Sequence, residues 1–429
     1  MKAEAKKRFK LPFHVVKRLD ISKTRYWIIK IASFIGAFLL AGLVCNILSP
    51  KSFVPFCQRM FYGVFNFGNI SKGSKAILKD NTLMEFIETA GLLILVAFAL
   101  APAFKMKFWN IGAEGQISVG CLVTAGITFF AAKNHVNDLA IIFICLFASI
   151  AAGIIWALIP AIFKAFFNTN ETLFTLMMNY VATTLIGICI GFWITNGSQS
   201  FPYLNNGSIS IPAISKTFGL KYLVSIITVI AVVIVMTIYL KKTKQGYELS
   251  VVGASTNTAR YVGIDVKMVI IRTMIISGAI SGLVGFLLVA GHHHTLSKTL
   301  ADGRGFTGVL IAWLGNFEPG QMILYGFLVA FFQCGSTKAA SYVGISKAYF
   351  SAIVTGMFFL IVIATGFLVN YKILVDDDTK LKRLLTRIKE WFRSIFAKVQ
   401  TFFKKLFKRK EKEIEQDEIQ ENSDKEDGK

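Results

Sequence analysis

Three clusters of polar residues lie within or beside long apolar stretches of this 429-residue chain. The densest cluster runs from Phe108 to Gln116 and contains Asn110, Glu114 and two glycines. Amide and carboxylate groups inside an apolar stretch are expensive to bury, so they usually face a cavity or a partner helix. We interpret this cluster either as an ordinary cytoplasmic turn or as a turn that is partly inserted into a membrane.

The second cluster begins at Asn170-Glu171-Thr172 and continues with Thr175 and Asn179. Thr172, Thr175 and Asn179 share one helix face because they are spaced i, i+3 and i+7. This polar face could line a pathway, with Thr175 and Asn179 as candidate contacts. It could equally pack against another helix.

The third cluster is a broken apolar region. The stretch Gly305–Leu314 is too short to cross a bilayer, and Gly315–Gly320 separates it from the next apolar stretch, Gln321–Cys334. Discontinuous helices often lie near a translocation path. The polar and small residues of this region are Gly303, Arg304, Gly305, Thr307, Gly308, Gly315 and Asn316.

None of the clusters resembles an enzyme site. His292-His293-His294 cannot all point in one direction on a helix, and no acidic residue stands beside them at metal-ligand spacing. We interpret the three histidines as a polar cluster on the external side. The six cysteines show no metal-ligand spacing, and the chain has no GxxxxGK[ST] phosphate loop. We expect no catalytic residue, no metal and no cofactor.

The composition indicates a membrane protein. Hydrophobic residues make up 54% of the chain and charged residues only 17%, too few to cover several soluble domains. Apolar stretches of bilayer length predict an all-α polytopic membrane protein with about ten membrane-crossing elements. They are Trp27–Leu48, Thr82–Phe104, Ile117–Ala132, Asp138–Phe163, Leu173–Thr195, Lys221–Leu240, Val269–Ala290, the broken region and Tyr349–Tyr371. We expect Ser49–Asn81 to lie along the external interface; a packed extracellular cap is the alternative.

The net charge of +22 is concentrated in a few segments. They are the N-terminal arm (residues 1–26), the cluster Lys241–Lys244 and the stretch Lys380–Lys410. The positive-inside rule places all three in the cytoplasm, so both termini are predicted to be cytoplasmic and the loop Asn196–Gly219 external. A charge distributed in this way does not suggest a nucleic-acid partner.

The chain after residue 371 is a separate region. Apolar residues at steps of three and four predict a basic amphipathic helix within residues 372–410, with its clear stripe over 380–410. Such a helix lies on an anionic membrane surface, although a coiled coil also satisfies the pattern. Residues 411–429 are acidic and lack aromatic residues, which is typical of disorder.

The loop 241–268 is long for a connector. It contains Gly246–Gly253 and then Ser255 and Asn257, either of which could cap a short helix that ends at Gly263. We interpret this short helix as a docking element on the cytoplasmic side.

Four runs carry a family resemblance. FWNIGAEGQ (108–116), NETLFTLMMNY (170–180), GYELSVVGASTNTARYVGI (246–264) and GFTGVLIAWLG (305–315) are similar to motifs of ABC importer permeases. The match is to the branched-chain amino acid and simple-sugar permease group, most closely its nucleoside-type branch. It covers residues from about 82 to 370 and leaves out the N-terminal arm and the tail.

The resemblance implies a ten-helix type II importer fold in the cell membrane of a bacterium, with residues 27–371 as the transmembrane permease domain. It also implies ATP-binding cassette subunits on other chains, a second and non-identical permease subunit, and an extracellular substrate-binding lipoprotein. The loop 241–268 would be the coupling loop to the ATPase, through Gly246, Tyr247, Glu248, Gly253, Ala259, Arg260 and Gly263. The substrate path would include Asn110, Glu114, Gln116, Thr175 and Asn179.

The resemblance makes the chain a transport subunit for nucleosides or related simple sugars, and not an enzyme. A permease for branched-chain amino acids shares the same scaffold. A secondary transporter or channel without ATPase subunits would need ionisable residues inside its spans, for which Lys30 and Glu88 are the candidates. A membrane scaffold that uses the basic tail is the remaining alternative.

Overall fold

The structure is a computed structural model that describes residues 13–17, 22–48, 53–65, 81–133, 138–194, 200–201, 204, 223–343 and 346–375. The chain divides into two compact units. One unit is Lys30–Thr365, and the other combines Met1–Ile29 with Gly366–Lys429. The larger unit contains the three polar clusters, so it is the unit that concerns function.

The described residues form thirteen α-helices, a π-helix and two strands. In chain order they are β1 (Phe13–Lys17), α1 (Lys23–Leu48), α2 (Phe53–Phe65), α3 (Asn81–Lys105), α4 (Ala113–Lys133), α5 (Asp138–Phe167), α6 (Glu171–Trp193), α7 (Leu223–Lys242), α8 (Lys244–Ala254), α9 (Thr256–Tyr261), α10 (Val266–Phe286), the π-helix Leu287–His293, α11 (Arg304–Leu314), α12 (Pro319–Val343), α13 (Lys347–Asn370) and β2 (Tyr371–Val375).

Eight of the described helices are long and apolar enough to cross a membrane, which confirms the helical membrane fold. The eight include α3 to α7, α10 with its π-helical extension, α12 and α13. Two shorter apolar segments, Ile28–Leu43 in α1 and Arg304–Leu314, lie below the span length. The count of about ten crossings stays a prediction.

Helix α10 forms the centre of the larger unit by packing along α4 and α5. Small residues make this contact possible. A β-carbon added at Gly282 would overlap the carbonyl oxygen of Ser149 on α5, and one added at Gly153 would overlap that of Gly278 on α10. Close backbone approach of this kind is typical of membrane helices, where small residues replace hydrophobic burial as the source of packing energy.

The loops of the larger unit gather at its two ends as the charge pattern predicts. The turn after α3, the loop between α5 and α6 and the loop 241–268 line one common cavity, so they share one end, which we call the cytoplasmic end. At the opposite, external end, the backbone N–H of Phe201 donates to the carbonyl oxygen of Leu296. The backbone N–H of Leu204 donates to the carbonyl oxygen of His294.

Part of the segment Ser49–Asn81 folds as helix α2. Its residues Phe56, Met60 and Val64 are fully buried, and α2 packs mainly against α12. The helix is therefore packed on the helical body, as the extracellular-cap alternative requires. Residues 66–80 lie outside the described residues.

The smaller unit contains a two-stranded antiparallel sheet that the all-α prediction did not include. Strand β1 pairs with β2 in the register Phe13↔Val375 to Lys17↔Tyr371. Both segments are rich in aromatic and β-branched residues, which favour strands. The predicted boundary of the amphipathic helix at residue 372 is therefore wrong, and any helix must begin after Val375. Its stripe over 380–410 and the acidic tail lie outside the described residues.

The sheet joins the segment before the first helix to the segment after the last one. Such a pairing is expected if both termini lie on the same side of the membrane. The identity of that side stays a prediction from the charge pattern.

Replacement of Gly282 by alanine should destabilise the protein, because its β-carbon would meet the Ser149 carbonyl oxygen and force α5 and α10 apart. Gly191→Ala is the matched control, since nothing lies within 4 Å of a β-carbon there. Thermal unfolding in detergent should show a lowered midpoint for Gly282→Ala and an unchanged or slightly raised one for Gly191→Ala. Equal midpoints would contradict the packing argument.

Candidate functional site

The turn between α3 and α4 folds back into the helical body. Its residue Asn110 is fully buried, and its Oδ1 accepts a hydrogen bond from the backbone N of Gly112 at 3.0 Å. Its Nδ2 donates to Oγ of Ser277 on α10, also at 3.0 Å. Ser277 lies about three turns from the start of α10. The structure therefore favours the inserted turn over an ordinary cytoplasmic turn.

The polar face of α6 holds this inserted turn in place. Thr175 Oγ1 accepts from the backbone N of Ile111 at 3.2 Å. Asn179 Oδ1 accepts from the backbone N of Gly115 at 2.8 Å, and its Nδ2 donates to the carbonyl oxygen of Ile111 at 2.9 Å. The face therefore packs against another segment in this conformation, which is the helix-packing alternative.

Gln116 completes the buried amide cluster. Its Nε2 donates to Oδ1 of Asn110 at 3.5 Å, whereas its Oε1 is buried and has no hydrogen-bond partner among the described residues. Asn110, Gln116, Thr175 and Asn179 are all at most 5% exposed. Their assignment to a substrate path stays a prediction, since in this conformation they support the turn from inside.

Glu114 connects the turn to the broken region. Its Oε1 accepts from the backbone N of Gly303 at 2.9 Å, and its Oε2 accepts from the backbone N of Gly305 at 2.7 Å. These groups belong to the start of α11, where Gly303 has no side chain to cap the helix. The Glu114 carboxylate supplies the acceptor that the exposed N–H groups and positive end of the helix need.

The broken region begins where α10 changes into a π-helix, Leu287–His293. A π-helix is rare and often marks a functional site. Nδ1 of His292 forms a hydrogen bond with Oε2 of the buried Glu88 of α3. This contact gives Glu88 a structural partner, and it places His292 inside the helical packing. The polar histidine run and the internal acid were visible in the sequence, but nothing there indicated that they meet.

The loop 241–268, which we call the coupling loop after its predicted role, folds as two capped helices. Thr243 Oγ1 caps α8 by accepting a hydrogen bond from the backbone N of Gly246 at 3.1 Å. Ser255 Oγ caps α9 by accepting one from the backbone N of Thr258 at 3.2 Å. Gly263 follows α9 with φ +80°, in the left-handed region that favours glycine. Of the two candidate caps, Ser255 and Asn257, the structure uses Ser255, and Gly263 follows the end of the helix as predicted, whereas α8 was not predicted.

Some residues of the coupling loop fix it to the helical body. Glu248 pairs with Arg272 of α10 at 2.8 Å, and Ala259 is fully buried. Gly246 packs against backbone atoms of Tyr239 and Leu240, and Gly253 packs against the carbonyl oxygen of Lys105, the last residue of α3. The loop therefore rests directly on the helix that leads into the inserted turn.

Other residues of the coupling loop form an exposed surface. Tyr247 is 68% exposed and Tyr261 is 92% exposed, and Arg260 is exposed beside Tyr261. Arg260 also lines a cavity of about 910 Å³, in which four basic residues outnumber two acidic ones: Lys107, Lys164, Arg260 and Lys267 against Glu171 and Asp265. Exposed aromatic residues beside a concave, basic surface are typical of a docking site for another protein.

Two polar contacts extend from this docking surface toward the polar clusters. Lys105 Nζ donates to the carbonyl oxygen of Leu240, 3.3 Å away at the end of α7. Lys241 pairs with Glu318, at 3.0 Å, in the segment that joins α11 to α12. The coupling loop, the inserted turn and the broken helix are therefore connected at the cytoplasmic end.

Eight helices long and apolar enough to span a membrane, an inserted polar turn, a broken helix and an exposed loop are typical of a multi-pass membrane transport protein. Residues 82–363 match the family described as the permease component of branched-chain amino acid transport systems, so the chain belongs to that family. The matched residues include all three polar clusters and the coupling loop. No solved structure matches the chain.

Several curated relatives are similar over most of their length. The glucose ABC transporter permease protein TsgB13 of Haloferax volcanii is 29% identical over 70% of this chain and 80% of its own. The guanosine ABC transporter permease protein NupP of Bacillus subtilis is 29% identical over 57% of this chain and 70% of its own length. The nucleoside ABC transporter permease protein NupB of Lactococcus lactis is 25% identical over 73% of this chain and 85% of its own length.

Replacement of Asn179 by leucine should destabilise the inserted turn, because it leaves the N–H of Gly115 and the carbonyl of Ile111 without partners. Each unsatisfied buried group costs about 1–3 kcal/mol. Thr184→Val is the control, since Thr184 is exposed and bonds only within its own helix. Thermal unfolding should show a clear drop for Asn179→Leu alone. A drop of the same size in both variants would contradict the assigned role.

Proposed function

We propose that the chain is the permease subunit of an ATP-driven importer for nucleosides or related simple sugars. The observation that carries the proposal is the exposed coupling loop of a chain of the permease family. The loop packs against the end of α3, which leads into the inserted turn, and it pairs with Glu318 in the segment that joins α11 to α12. The relatives named for guanosine, nucleoside and glucose transport support this cargo class. A branched-chain amino acid cargo, which the family description would allow, has no such support among these three relatives.

The proposed assembly needs three kinds of partner. ATP-binding cassette subunits dock on Tyr247, Arg260 and Tyr261 of the coupling loop and carry out ATP hydrolysis, so this chain is not itself an enzyme. A second, non-identical permease subunit completes the transmembrane path. A substrate-binding lipoprotein delivers cargo at the external end, where Phe201 and Leu204 lie over the broken region.

In the proposed mechanism, closure of the ATPase subunits moves the coupling loop. The contact of Gly253 with Lys105 transmits the movement to α3 and the inserted turn, and the Lys241–Glu318 pair transmits it to α11. The amide cluster and Glu114 keep the turn and α11 together while the path opens to alternate sides. The permease makes and breaks no covalent bond.

The tail has a separate proposed role. Residues 380–410 would bind the anionic surface of the cytoplasmic leaflet, and residues 411–429 would extend from it. Removal of the tail after Val375 should therefore alter membrane or partner recruitment while transport itself persists.

The cargo assignment is tested by uptake of labelled nucleosides and sugars in cells that lack this chain and in cells in which it is restored with its partner subunits. Restored uptake of a nucleoside or simple sugar is the expected result. Unchanged uptake of nucleosides, sugars and branched-chain amino acids alike would contradict the proposal.

Replacement of Tyr261 by alanine should weaken ATPase docking roughly tenfold, because an exposed aromatic residue at an interface centre is a typical binding hot spot. Its side chain is 92% exposed, so folding should be unaffected. Tyr349→Ala, at an exposed tyrosine of α13 outside the coupling loop, is the control. Co-purification of the ATPase subunits and nucleoside uptake should fall only for Tyr261→Ala; equal retention in both variants would refute the docking site.

A further inference from the structure

Polar residues of the broken region are exposed beside helices that are long and apolar enough to cross a membrane. Lys298, Thr299 and Asp302 lie between the π-helix and α11, and all three are exposed. Asp302 immediately precedes the Gly303 cap of α11 and has φ +49°, a left-handed conformation that aspartate adopts more readily than most residues. The two neighbouring N–H groups of α11 are already bound by Glu114, so Asp302 is not required as the helix cap.

Neighbouring helices give the depth of these residues. Gly308 of α11 packs against Val96, which lies about two and a half turns from the cytoplasmic end of α3. The start of α11 lies a further turn from that end. From the other side, the stem of Lys298 lies against Gly187, about 9 Å inside α6 from its external end at Trp193. The exposed polar residues are therefore at the depth of the apolar spans.

An ionised carboxylate cannot face hydrocarbon at this depth without a large cost in free energy. The exposed side of Asp302 must therefore face either a water-filled space or another polar protein surface. The same side of α11 continues with Phe306 and Trp313, which are 42% and 47% exposed. Phe306 and Trp313 share one face of α11 because they are spaced by seven residues, and Asp302 lies just ahead of the first turn of that helix.

We propose that this face of α11, from Asp302 to Trp313, contacts cargo in the translocation path. The carboxylate of Asp302 would accept hydrogen bonds from neighbouring hydroxyl groups of a ribose or a simple sugar. The ring of Phe306, one turn away, would stack on the base or on the apolar face of the sugar, and Trp313 would offer the next contact toward the cytoplasm. The cargo class rests on the proposed function, whereas the exposure of this face to the path does not.

The path exposure is tested by thiol labelling in the assembled transporter in membranes. Asp302→Cys and Thr299→Cys should react with a small water-soluble thiol reagent at least tenfold faster than Val235→Cys, an exposed position on the apolar helix α7. The unsubstituted chain measures the reaction of its native cysteines. If both test positions react no faster than Val235→Cys, the face is covered by lipid or by the second permease, and the proposal is overturned.

The cargo contact is tested by protection and by transport. A saturating nucleoside or sugar should slow labelling of Asp302→Cys several-fold and leave labelling of Lys338→Cys, an exposed position on α12 outside the proposed path, unchanged. Asp302→Ala should raise the KM for uptake several-fold, Asp302→Glu less so, and neither should alter the amount of assembled complex. A KM for Asp302→Ala equal to that of the unsubstituted chain would overturn the cargo contact.

These results separate the two proposals. Fast labelling of Asp302→Cys together with no uptake of any nucleoside or sugar by the unsubstituted complex would reject the proposed cargo and retain the path. Normal nucleoside uptake together with slow labelling at Asp302 and Thr299 would retain the proposed function and reject the path along α11.

Discussion

The fold depends on one constraint: backbone groups at membrane depth must find their partners inside the protein, because lipid offers none. The inserted turn between α3 and α4 exposes such groups, and Asn179 satisfies two of them, the carbonyl of Ile111 and the N–H of Gly115. Asn110 closes the turn onto itself and onto α10. The start of α11 presents the same problem, and the carboxylate of Glu114 solves it. Asn110, Asn179 and Glu114 are therefore each explained by a backbone group that would otherwise be unsatisfied.

The same contacts join segments that are far apart in the chain. Glu114 binds Gly303 and Gly305, so the inserted turn and the broken helix are held together at one point. The coupling loop lies at the cytoplasmic end of both segments, against Lys105 on one side and through the Lys241–Glu318 pair on the other. In the proposed transport cycle this arrangement gives a movement of the loop two routes to the path. Rigid packing of α10 on α4 and α5 through glycines supplies the frame against which such a movement can act.

Local features of this structure could be predicted from the sequence, and distant pairings could not. The length of the apolar stretches predicted the membrane-spanning helices. Ser255, one of two candidate caps, and Gly263 predicted the limits of α9. Each of these features depends on neighbouring residues only. The inserted position of Asn110 remained one of two alternatives, since its partner Ser277 lies on another helix. The contact of His292 with Glu88 was not predicted for the same reason. The boundary at residue 372 was wrong because residues 371–375 pair as a strand with the distant segment Phe13–Lys17, a contact that local patterns do not indicate.

The central claim is that Glu114 transmits the movement of the inserted turn to α11. The most direct measurement is the ratio of cargo imported to ATP hydrolysed by the reconstituted complex with Glu114→Ala. Glu85→Ala serves as the control, since Glu85 is half-exposed and its contact with Lys338, at 3.8 Å, is loose. We expect ATP hydrolysis to continue in the Glu114→Ala complex while the ratio falls at least tenfold, and we expect the control to keep its ratio. An unchanged ratio in Glu114→Ala would contradict the account.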